Sequence, residues 1–412
     1  MNRPTNKIVI VGAGECGARA AFALREKGYE GDIALIGAEP HLPYERPPLS
    51  KDGLAGQFGP KYVADAERYQ SAGIKVLTDA TVEAIDRGAK TVRIVDGRQL
   101  SYDKLLLATG ARPRPLSGLP QTAPLIRMLR THADAAAIRS KIAPGKVLAI
   151  IGGGFIGLEL AATARKLGAD VVLLEGLPRV LSRGVPEEIA AVVAERHRLE
   201  GVDIRCNASI AGIEEREDKV EIKLADGGIL VADLVVIGIG AVPNTALAEA
   251  AGLAIDNGIA VDERLCTLDP DIFAAGDCCS YPLRHYDNRR IRLEAWRNAQ
   301  DQGTLAAANL MGAAETIASV PWFWSDQYDL TLQIAGLADG AVMTVQRDLG
   351  DGAFILFHLD ANGRLISASG IGTGNAIARD IRLAEMLIAA GKTPDPQALG
   401  SIDTKLKALL AA

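Results

Sequence analysis

Residues 146–175, KVLAIIGGGFIGLELAATARKLGADVVLLE, contain the pattern that decides the fold. The stretch begins with the apolar run Val147–Ile151, whose length and composition predict a buried strand. Three glycines follow at G-x-G-x-x-G spacing: Gly152, Gly154 and Gly157. An Ala- and Leu-rich segment then predicts a helix as far as residue 168, and a second apolar run, residues 171–174, ends at Glu175. Strand, glycine turn, helix, strand and terminal acid together predict a dinucleotide-binding βαβ unit.

Each part of this unit has a physical role. Gly152 permits the tight turn, Gly154 lets the backbone approach a pyrophosphate, and Gly157 lets helix and strand pack closely. The N-terminus of the helix offers unpaired N–H groups and a positive dipole end to the phosphates. Glu175 is expected to accept hydrogen bonds from the adenosine ribose and to repel a 2′-phosphate. The unit is therefore predicted to prefer NADH to NADPH.

Residues 7–39, KIVIVGAGECGARAAFALREKGYEGDIALIGAE, repeat the pattern. The glycines are Gly12, Gly14 and Gly17, the helix is expected to reach about residue 27, and the second strand is expected at residues 33–36. In the later unit the acid lies 23 positions after the first glycine. The same offset falls here on Leu35, or on Gly37 if residues 29–31 carry a two-residue insertion. Glu39 is the nearest acid and is expected to bind the ribose, although a solvated loop residue is the alternative.

Two dinucleotide units in one chain predict two dinucleotides, of which the usual pair is a flavin and a nicotinamide. The later unit is followed by a strand and glycine turn in residues 232–240, and the earlier one by the strand and small-residue turn of residues 105–110. Residues 271–277, DIFAAGD, predict a strand with Asp277 at its carboxyl end. An aspartate there is well placed to accept hydrogen bonds from the ribitol hydroxyls of a flavin.

Composition limits the other possibilities. The 412 residues suit two or three domains, and the net charge of −6 gives no reason to expect nucleic acid or an anionic membrane as partner. No apolar run approaches the roughly 20 residues needed to span a bilayer, and the first one is too short for a signal peptide, so a cytoplasmic location is expected. The five cysteines form no C-x-x-C pair, and the five histidines show no ligand spacing. We expect no redox disulfide and no metal, and we expect the adjacent Cys278 and Cys279 to be buried.

The order of motifs GxGxxG, LLLATGARPR, GGGFIGLE, GIGAVPN and IFAAGDC resembles the flavoprotein disulfide-reductase superfamily. The segments PYERPPLSK at 43–51, LRT at 129–131 and PWFWSDQYD at 321–329 resemble more narrowly the FAD-dependent NADH:ferredoxin reductases of bacterial oxygenase systems. The resemblance extends from residue 7 to about residue 375. It implies an α/β fold with two Rossmann-like dinucleotide-binding domains and a C-terminal α+β domain.

The resemblance also implies the domain boundaries. The FAD domain is expected at 1–115 and 243–318, the NADH domain at 116–242, and the C-terminal domain at 319–412. The pattern of the last segment agrees, because it predicts strands at 331–337, 341–347, 353–359 and 365–371 and an amphipathic helix at 375–390.

The resemblance implies the site residues as well. The expected catalytic residues are Lys51, Glu159 and Trp324. The expected FAD-binding residues are Gly12, Gly14, Cys16, Gly17, Glu39, Arg46, Lys51, Val82, Ala108, Thr109, Gly110, Arg130, Asp277 and Trp296. The expected NAD-binding residues are Gly152, Gly154, Ile156, Gly157, Glu159, Glu175, Arg183 and Gly240.

Lys51 is implied to lie beside the flavin N5 region, where an ammonium stabilises negative charge on the reduced ring. Glu159 is predicted in the first turn of its helix, where the helix dipole alone would favour an acid. The resemblance implies that Glu159 orients Lys51 or the nicotinamide carboxamide, and a Lys51–Glu159 pair is predicted across two domains. A helix is predicted to start near residue 298, with Trp296 preceding it and touching the flavin. Trp324 is implied to lie between the flavin and a docked ferredoxin, and either tryptophan is alternatively a core residue.

A chain without a redox cysteine pair has to release electrons directly from the flavin, which suits a one-electron carrier. The implied partner is an acidic 2Fe-2S ferredoxin, and the chain is expected to be a monomer or a homodimer. Five arginines close together in the sequence are candidates for steering an acidic partner, and a solvated loop is the alternative. They are Arg284, Arg289, Arg290, Arg292 and Arg297.

Two other functions stay open. NADH oxidases, peroxidases and CoA-disulfide reductases resemble this fold, but they carry a redox cysteine in the loop after the second strand, and residues 41–54 here contain none. A non-catalytic flavoprotein that binds NADH and signals through a partner, as in the relatives of apoptosis-inducing factor, is the second alternative.

Overall fold

The computed structural model describes residues 5–55, 59–117 and 123–411. The chain divides into two compact units. The first comprises Met1–Glu45, Pro60–Arg112 and Val242–Pro321, and the second comprises Arg46–Gly59, Pro113–Ala241 and Trp322–Ala412. Among the helices of the described ranges, none has the length and apolar character needed to cross a membrane.

A five-stranded parallel sheet forms the centre of the first unit. Its strands, from one edge to the other, are Ile272–Ala274, Lys104–Leu107, Lys7–Val11, Asp32–Ile36 and Ile74–Leu77. The central strand is fully enclosed, with Ile8, Val9 and Ile10 at 0% exposure. The helices of this unit are Glu15–Glu26, Ala66–Ser71, Ala246–Ala250 and Trp296–Leu310.

The second unit contains a parallel sheet with the same arrangement. Its strands, in the corresponding order, are Ile126–Met128, Leu234–Ile237, Val147–Ile151, Asp170–Leu174 and Val202–Arg205. The helices associated with it are Asp52–Ala55, His132–Arg139, Phe155–Lys166 and Glu187–Leu199, with a 3-10 turn at Pro47–Ser50. The two predicted βαβ units are therefore confirmed as the centres of two similar sheets.

The two βαβ units differ in the number of residues between the helix and the second strand. Five residues separate Glu26 from Asp32, whereas three separate Lys166 from Asp170. The first glycine of each turn donates its N–H to the last residue of the second strand, Gly12 to Ile36 O and Gly152 to Leu174 O, both at 2.8 Å. The two-residue insertion considered at 29–31 is thus present. Gly37 occupies the position that Glu175 holds in the later unit.

Smaller antiparallel sheets complete the two sheet regions. In the first unit they are formed by Val82–Asp86, Thr91–Ile94 and Gln99–Ser101, and by Cys279–Leu283 with Arg289–Ile291, while Ile259–Ala260 joins the latter in parallel. In the second unit they are Ile210–Arg216, Lys219–Leu224 and Ile229–Ala232. The short strands Ala111–Pro113 and Ala241–Pro243 contain the points where the chain passes between the units. The 3-10 turns Gly276–Cys278 and Arg284–Tyr286 lie in the first unit.

The C-terminal segment forms a five-stranded antiparallel sheet followed by helices. Its strands, from edge to edge, are Trp322–Gln327, Leu330–Gly336, Leu365–Thr373, Ala353–Leu359 and Met343–Gly350. Helices Ala378–Ala389, Pro396–Gly400 and Ala408–Ala411 follow. The four predicted strands are present with shifts of up to three residues at their ends, and the predicted helix begins three residues later than expected. Trp322–Gln327 was not predicted as a strand.

Two predicted positions on helices were wrong. The helix expected near residue 298 begins at Trp296, so this tryptophan is the first helical residue instead of preceding the helix. Glu159 is the fifth residue of Phe155–Lys166 and lies beyond the first turn. The helix dipole falls off within the first turn, so it gives a weaker account of this acid than the sequence indicated.

Candidate functional site

The first glycine turn has the shape needed to hold a pyrophosphate. Gly12 adopts φ +115°, and a Cβ there would lie 2.0 Å from Ala108 O. A Cβ on Gly17 would lie 2.0 Å from Gly12 O, so the helix packs directly on the turn. A Cβ on Gly14 would meet none of the described atoms within 4 Å. The turn is therefore closed on the side of the protein and open at Gly14, where the first helical N–H groups lack partners inside the helix.

Several predicted FAD-binding residues lie around this turn. Cys16 is buried in the helix, and a Cβ on Gly276 would lie 3.2 Å from its Cβ, which brings the neighbouring Asp277 close to the turn. Burial raises the pKa of Cys16, and Asp277 adds to the rise. Thr109 donates its hydroxyl to Asn244 O at 2.7 Å, and Gly110 follows at φ +67°. Val82 begins an antiparallel strand opposite Ile94, two residues after Ala80, whose N–H donates to Gly37 O at 2.9 Å.

Glu39 lies beyond the end of its strand. Its carboxylate accepts a hydrogen bond from Tyr44 Oη at 2.5 Å. Because Gly37 holds the place directly after the strand, Glu39 lies in the following loop, whereas Glu175 lies at the end of its strand. The sequence offset alone could not show this difference.

Trp296 lies against Glu15, the first residue of the glycine-turn helix. Gln300 Nε2 donates to Glu15 Oε1 at 2.9 Å. Burial raises the pKa of Glu15, although the bonds from Gln300 and Trp296 oppose the rise. Glu15 was not among the residues predicted from the sequence. Its position directly after Gly14 was the signal that an acid lies beside the opening of the turn.

The second glycine turn repeats this geometry. Gly152 has φ +111°, and a Cβ there would lie 2.4 Å from Gly238 O. A Cβ on Gly157 would lie 2.2 Å from Gly152 O, whereas one on Gly154 would meet none of the described atoms within 4 Å. Ile156 is 47% exposed beside this opening.

Glu175 is held rigidly beside the second turn. Its Oε2 accepts the N–H of Gly153 at 2.6 Å, and its Oε1 accepts the N–H of Leu177 at 2.8 Å. Each carboxylate oxygen has a further lone pair, so the fixed group can still accept ribose hydroxyls. Gly240 and Arg183 come together in the same unit, since a Cβ on Gly240 would lie 3.8 Å from an Arg183 guanidinium nitrogen.

Lys51 and Glu159 form the predicted ion pair. Lys51 Nζ lies 3.3 Å from Glu159 Oε1 and 3.5 Å from Asp326 Oδ2. It also lies 5.6 Å from the centre of the Trp324 ring, whose Nε1 donates to Asp326 Oδ2 at 3.1 Å. The prediction that this pair joins two domains is wrong at the level of the compact units, because Lys51 and Glu159 both belong to the second unit.

Two serines that sequence reasoning missed complete the surroundings of Glu159. Ser50 Oγ donates to Oε2 and Ser325 Oγ donates to Oε1, both at 2.6 Å. Glu159 is only 6% exposed. Burial raises its pKa, while Lys51, Ser325 and Ser50 oppose the rise. Both serines stand in segments quoted for the family resemblance, and the alternation of the strand Trp322–Gln327 was the signal that turns Ser325 inward.

Arg46 and Arg130 also come together within the second unit. A guanidinium nitrogen of Arg46 donates to Arg130 O at 2.6 Å. The backbone N–H of Arg130 donates to Asp134 Oδ2 at 3.1 Å, next to the capping box that Thr131 and Asp134 form at the start of the following helix. The structure thus links two predicted FAD-binding residues that are 84 positions apart.

The five arginines proposed for docking do not present equal charges. Arg284, Arg289 and Arg290 are exposed. Arg290 donates to Val261 O and Ser280 O, and the side chain of Arg292 is 11% exposed and pairs with Glu294. Arg297 lies 3.9 Å from Asp301. Arg284 and Arg289 are therefore the members most open to a partner.

The described residues contain no group of three or more His, Cys, Asp or Glu side chains arranged to hold a metal ion. All five cysteines are free thiols. Cys278 and Cys279 are fully buried, as predicted, and burial raises the pKa of each.

The fold and its two open glycine turns define an oxidoreductase that binds two dinucleotides. The family model described as pyridine nucleotide-disulphide oxidoreductase matches residues 6–303, and the model described as reductase C-terminal matches residues 322–410. The anthranilate 1,2-dioxygenase system ferredoxin–NAD(+) reductase component of Burkholderia cepacia is 43% identical over 407 residues, which cover 98% of each chain. Putidaredoxin reductase of Pseudomonas putida is 40% identical over 423 residues, covering 100% of this chain and 98% of that protein.

A solved structure supports the same family assignment. The crystal structure of the covalent putidaredoxin reductase–putidaredoxin complex contains a chain that matches with a TM-score of 0.93 and 38% identity, covering 99% of both chains. The protein thus belongs to the pyridine nucleotide-disulphide oxidoreductase family, among the ferredoxin–NAD(+) reductases of oxygenase systems. It uses FAD and NAD(H), and the two open glycine turns fit these dinucleotides. The family and cofactors expected from the sequence are confirmed.

Proposed function

We propose that this chain oxidises NADH and passes the two electrons singly to an acidic 2Fe-2S ferredoxin that supplies an oxygenase. One NADH and two oxidised ferredoxins give NAD⁺, two reduced ferredoxins and one proton. The observation that carries the proposal is the duplicated glycine turn. Gly14 and Gly154 each leave open the place where a backbone can approach a pyrophosphate, so one chain has room for an electron donor and an electron store.

The proposal assigns FAD to the turn at Gly12 and NADH to the turn at Gly152. The supporting difference is the acid after the second strand. Glu175 stands directly at the strand end and is fixed by two backbone N–H groups, which suits recognition of a ribose and rejection of a 2′-phosphate. Gly37 at the equivalent position carries no such charge. The FAD domain then comprises 1–115 and 243–318, the NADH domain 116–242, and the C-terminal domain 319–412.

Bound NADH supplies a hydride, and FAD accepts it and releases electrons one at a time. The protein contributes position and charge. Lys51 is held between a buried carboxylate, Glu159, and the more exposed Asp326. Its ammonium is fixed before any reaction, so it can stabilise developing negative charge without reorganising. Ser50 and Ser325 keep Glu159 in place for this purpose.

The electrons are proposed to leave near Trp324. The sequence places no cysteine in residues 41–54, which leaves the flavin without a neighbouring disulfide in the loop that carries one in related enzymes. Trp324 stacks on Trp322 with ring centres 5.4 Å apart, and it lies over Lys51. We expect Trp324→Ala to slow ferredoxin reduction at least tenfold, while ferricyanide reduction, which needs no docked protein, changes less than twofold.

The test is anaerobic rapid mixing of the oxidised holoenzyme with NADH, followed by addition of a 2Fe-2S ferredoxin. The flavin band should bleach with NADH, and it should then recover as the iron–sulfur band of the ferredoxin is reduced. Parallel mixing with CoA disulfide and with hydrogen peroxide measures the competing activities. The proposal is wrong if the reduced flavin is reoxidised faster by either of these than by each ferredoxin tried.

Acidic character of the partner is tested through Arg284 and Arg289. Reversing both charges should lower the second-order rate of ferredoxin reduction about tenfold at low salt, and the difference should vanish at high salt. Arg98→Glu is the matched control, since Arg98 is an exposed arginine of the same unit, paired with Asp96. Equal effects of the control and the double variant would contradict docking at this cluster.

A further inference from the structure

A chain of buried polar side chains extends from Glu159 toward a histidine on another helix. Ser325 Oγ donates to Glu159 Oε1, and Gln327 Nε2 lies 3.1 Å from Ser325 Oγ. His197 Nε2 lies 2.8 Å from Gln327 Oε1. Glu159, Ser325, Gln327 and His197 are between 0% and 6% exposed. The chain lies within the second unit and joins the glycine-turn helix, the C-terminal sheet and the helix Glu187–Leu199.

The charge of Glu159 fixes the direction of every bond in this chain. An ionised carboxylate only accepts, so both serine hydroxyls have to donate to it. Ser325 then has only lone pairs left, and the amide of Gln327 has to present its N–H₂ to them. The amide oxygen consequently faces His197, which has to carry its proton on Nε2. Tyr328 Oη lies 3.4 Å from His197 Nδ1, in position to donate to the remaining nitrogen.

We propose that Ser325, Gln327 and His197 are positioning residues that form a one-way hydrogen-bond chain and hold Glu159 as the charged acceptor for Lys51. The C-terminal sheet thereby supplies a hydrogen-bond donor to a buried carboxylate on the nucleotide-binding helix. This inference rests on the proposed function for its effect on catalysis, but the direction of the chain can be tested without turnover.

The surroundings of Glu159 explain why its carboxylate requires hydrogen-bond donors. A buried carboxylate is strongly disfavoured unless donors compensate for the lost water. Lys51 is the charged side chain that faces Glu159, and Ser50 and Ser325 supply the hydroxyl donors. At the far end, burial lowers the pKa of His197, Gln327 opposes this, and Arg196 and Glu200 are the charged neighbours. A neutral His197 with one proton is what the direction of the chain requires.

Three variants and a control separate positioning from general support of the fold. Ser325→Ala removes the donor, and Ser325→Thr restores a hydroxyl at the same position. Gln327→Glu keeps the shape but cannot donate when it is ionised, so it attracts the Ser325 hydroxyl away from Glu159 and also places a like charge near that carboxylate. Gln346→Glu is the matched control, because it makes the same change at an exposed position of the same sheet.

The readout is the carbon-13 signal of the Glu159 carboxyl in labelled holoenzyme, assigned by its loss in Glu159→Gln and followed through a pH titration. Ser325→Ala and Gln327→Glu should each raise the titration midpoint by about 1–2 pH units, since a hydrogen bond to a charged group is being lost. Ser325→Thr and Gln346→Glu should leave it within about 0.3 units of the parent value. Nitrogen-15 spectra of the parent protein should show His197 protonated on Nε2.

The proposal is overturned if the midpoint is unchanged in both Ser325→Ala and Gln327→Glu, or if His197 carries its proton on Nδ1. Should Gln327→Glu not fold, the Ser325→Ala and Ser325→Thr pair still decides. Rapid mixing with NADH adds a kinetic readout, in which the limiting rate of flavin reduction falls while the NADH dissociation constant stays constant. If the parent protein does not reduce its flavin with NADH, the proposed function is wrong. The titration of Glu159 would still show whether the hydrogen-bond chain exists.

Discussion

Gly154 offers the most direct test of which turn binds the nicotinamide dinucleotide. Its φ is −81° and ψ is −178°, which an alanine adopts without strain, and the added Cβ meets none of the described atoms within 4 Å. We expect Gly154→Ala to change the free energy of unfolding by less than about 0.5 kcal/mol. The methyl group would nevertheless occupy the approach to the backbone N–H groups. Loss of one charge-assisted hydrogen bond of about 1.5–3 kcal/mol weakens NADH binding roughly 10- to 150-fold.

Two matched alanine variants make this prediction specific. Gly157→Ala places a Cβ 2.2 Å from Gly152 O, so it should destabilise the fold by about 1–3 kcal/mol or more through overpacking. Gly14→Ala makes the same change in the glycine turn of the first unit. It should lower FAD retention while leaving NAD⁺ affinity within twofold of the parent value. Calorimetric titration of the holoenzyme with NAD⁺, FAD content and urea unfolding are measured for all three. The assignment is refuted if Gly14→Ala weakens NAD⁺ binding and Gly154→Ala does not.

Three further predictions concern charged groups. Glu175→Ser should lower the preference for NADH over NADPH at least tenfold, measured as the ratio of kcat/KM values, because the repulsion of a 2′-phosphate is removed. The rate of flavin reduction by NADH should fall in acid with a midpoint above pH 4.5, because burial raises the pKa of Glu159 and protonation removes the charge that holds Lys51. A rate that does not change between neutral pH and pH 4.5 would exclude this. Burial opposes ionisation of Asp233, but hydrogen bonds from Lys219, a backbone amide and Lys146 outweigh it and lower the pKa from 3.8 to about 2. Asp233→Asn should therefore lower the free energy of unfolding, measured in urea at neutral pH, by about 2 kcal/mol. In the parent protein this stabilisation is complete above pH 3.8 and is lost as the pH falls through 2.

The local parts of the fold were accessible from the sequence. The strand Val147–Ile151 was predicted with its observed bounds, because a short apolar run before a glycine turn is a purely local signal. The position of the acid in the first unit was not accessible. A two-residue insertion shifts every later offset, and only the pairing of Gly12 with Ile36 shows where the strand ends.

The environment of Glu159 required three-dimensional information for a different reason. Ser50 lies 109 positions before it and Ser325 lies 166 positions after it, so no local pattern relates the three. The strand Trp322–Gln327 was itself missed, since its tryptophans and polar residues were interpreted as a family motif and not as an alternating strand. Once that strand is recognised, period-two alternation places Ser325 and Gln327 on the same face.

The same strand explains why an acid is tolerated inside the second unit. A carboxylate at the fifth position of a helix gains little from the helix dipole, and burial opposes its charge. Glu159 therefore depends on donors from outside its own βαβ unit: one hydroxyl and one ammonium from residues 50 and 51, and one hydroxyl from the C-terminal sheet. A nucleotide-binding βαβ unit does not need this acid in order to bind a dinucleotide. Its position at a buried site, with three donors from two distant segments, is what connects the nucleotide-binding helix to Lys51 and Trp324.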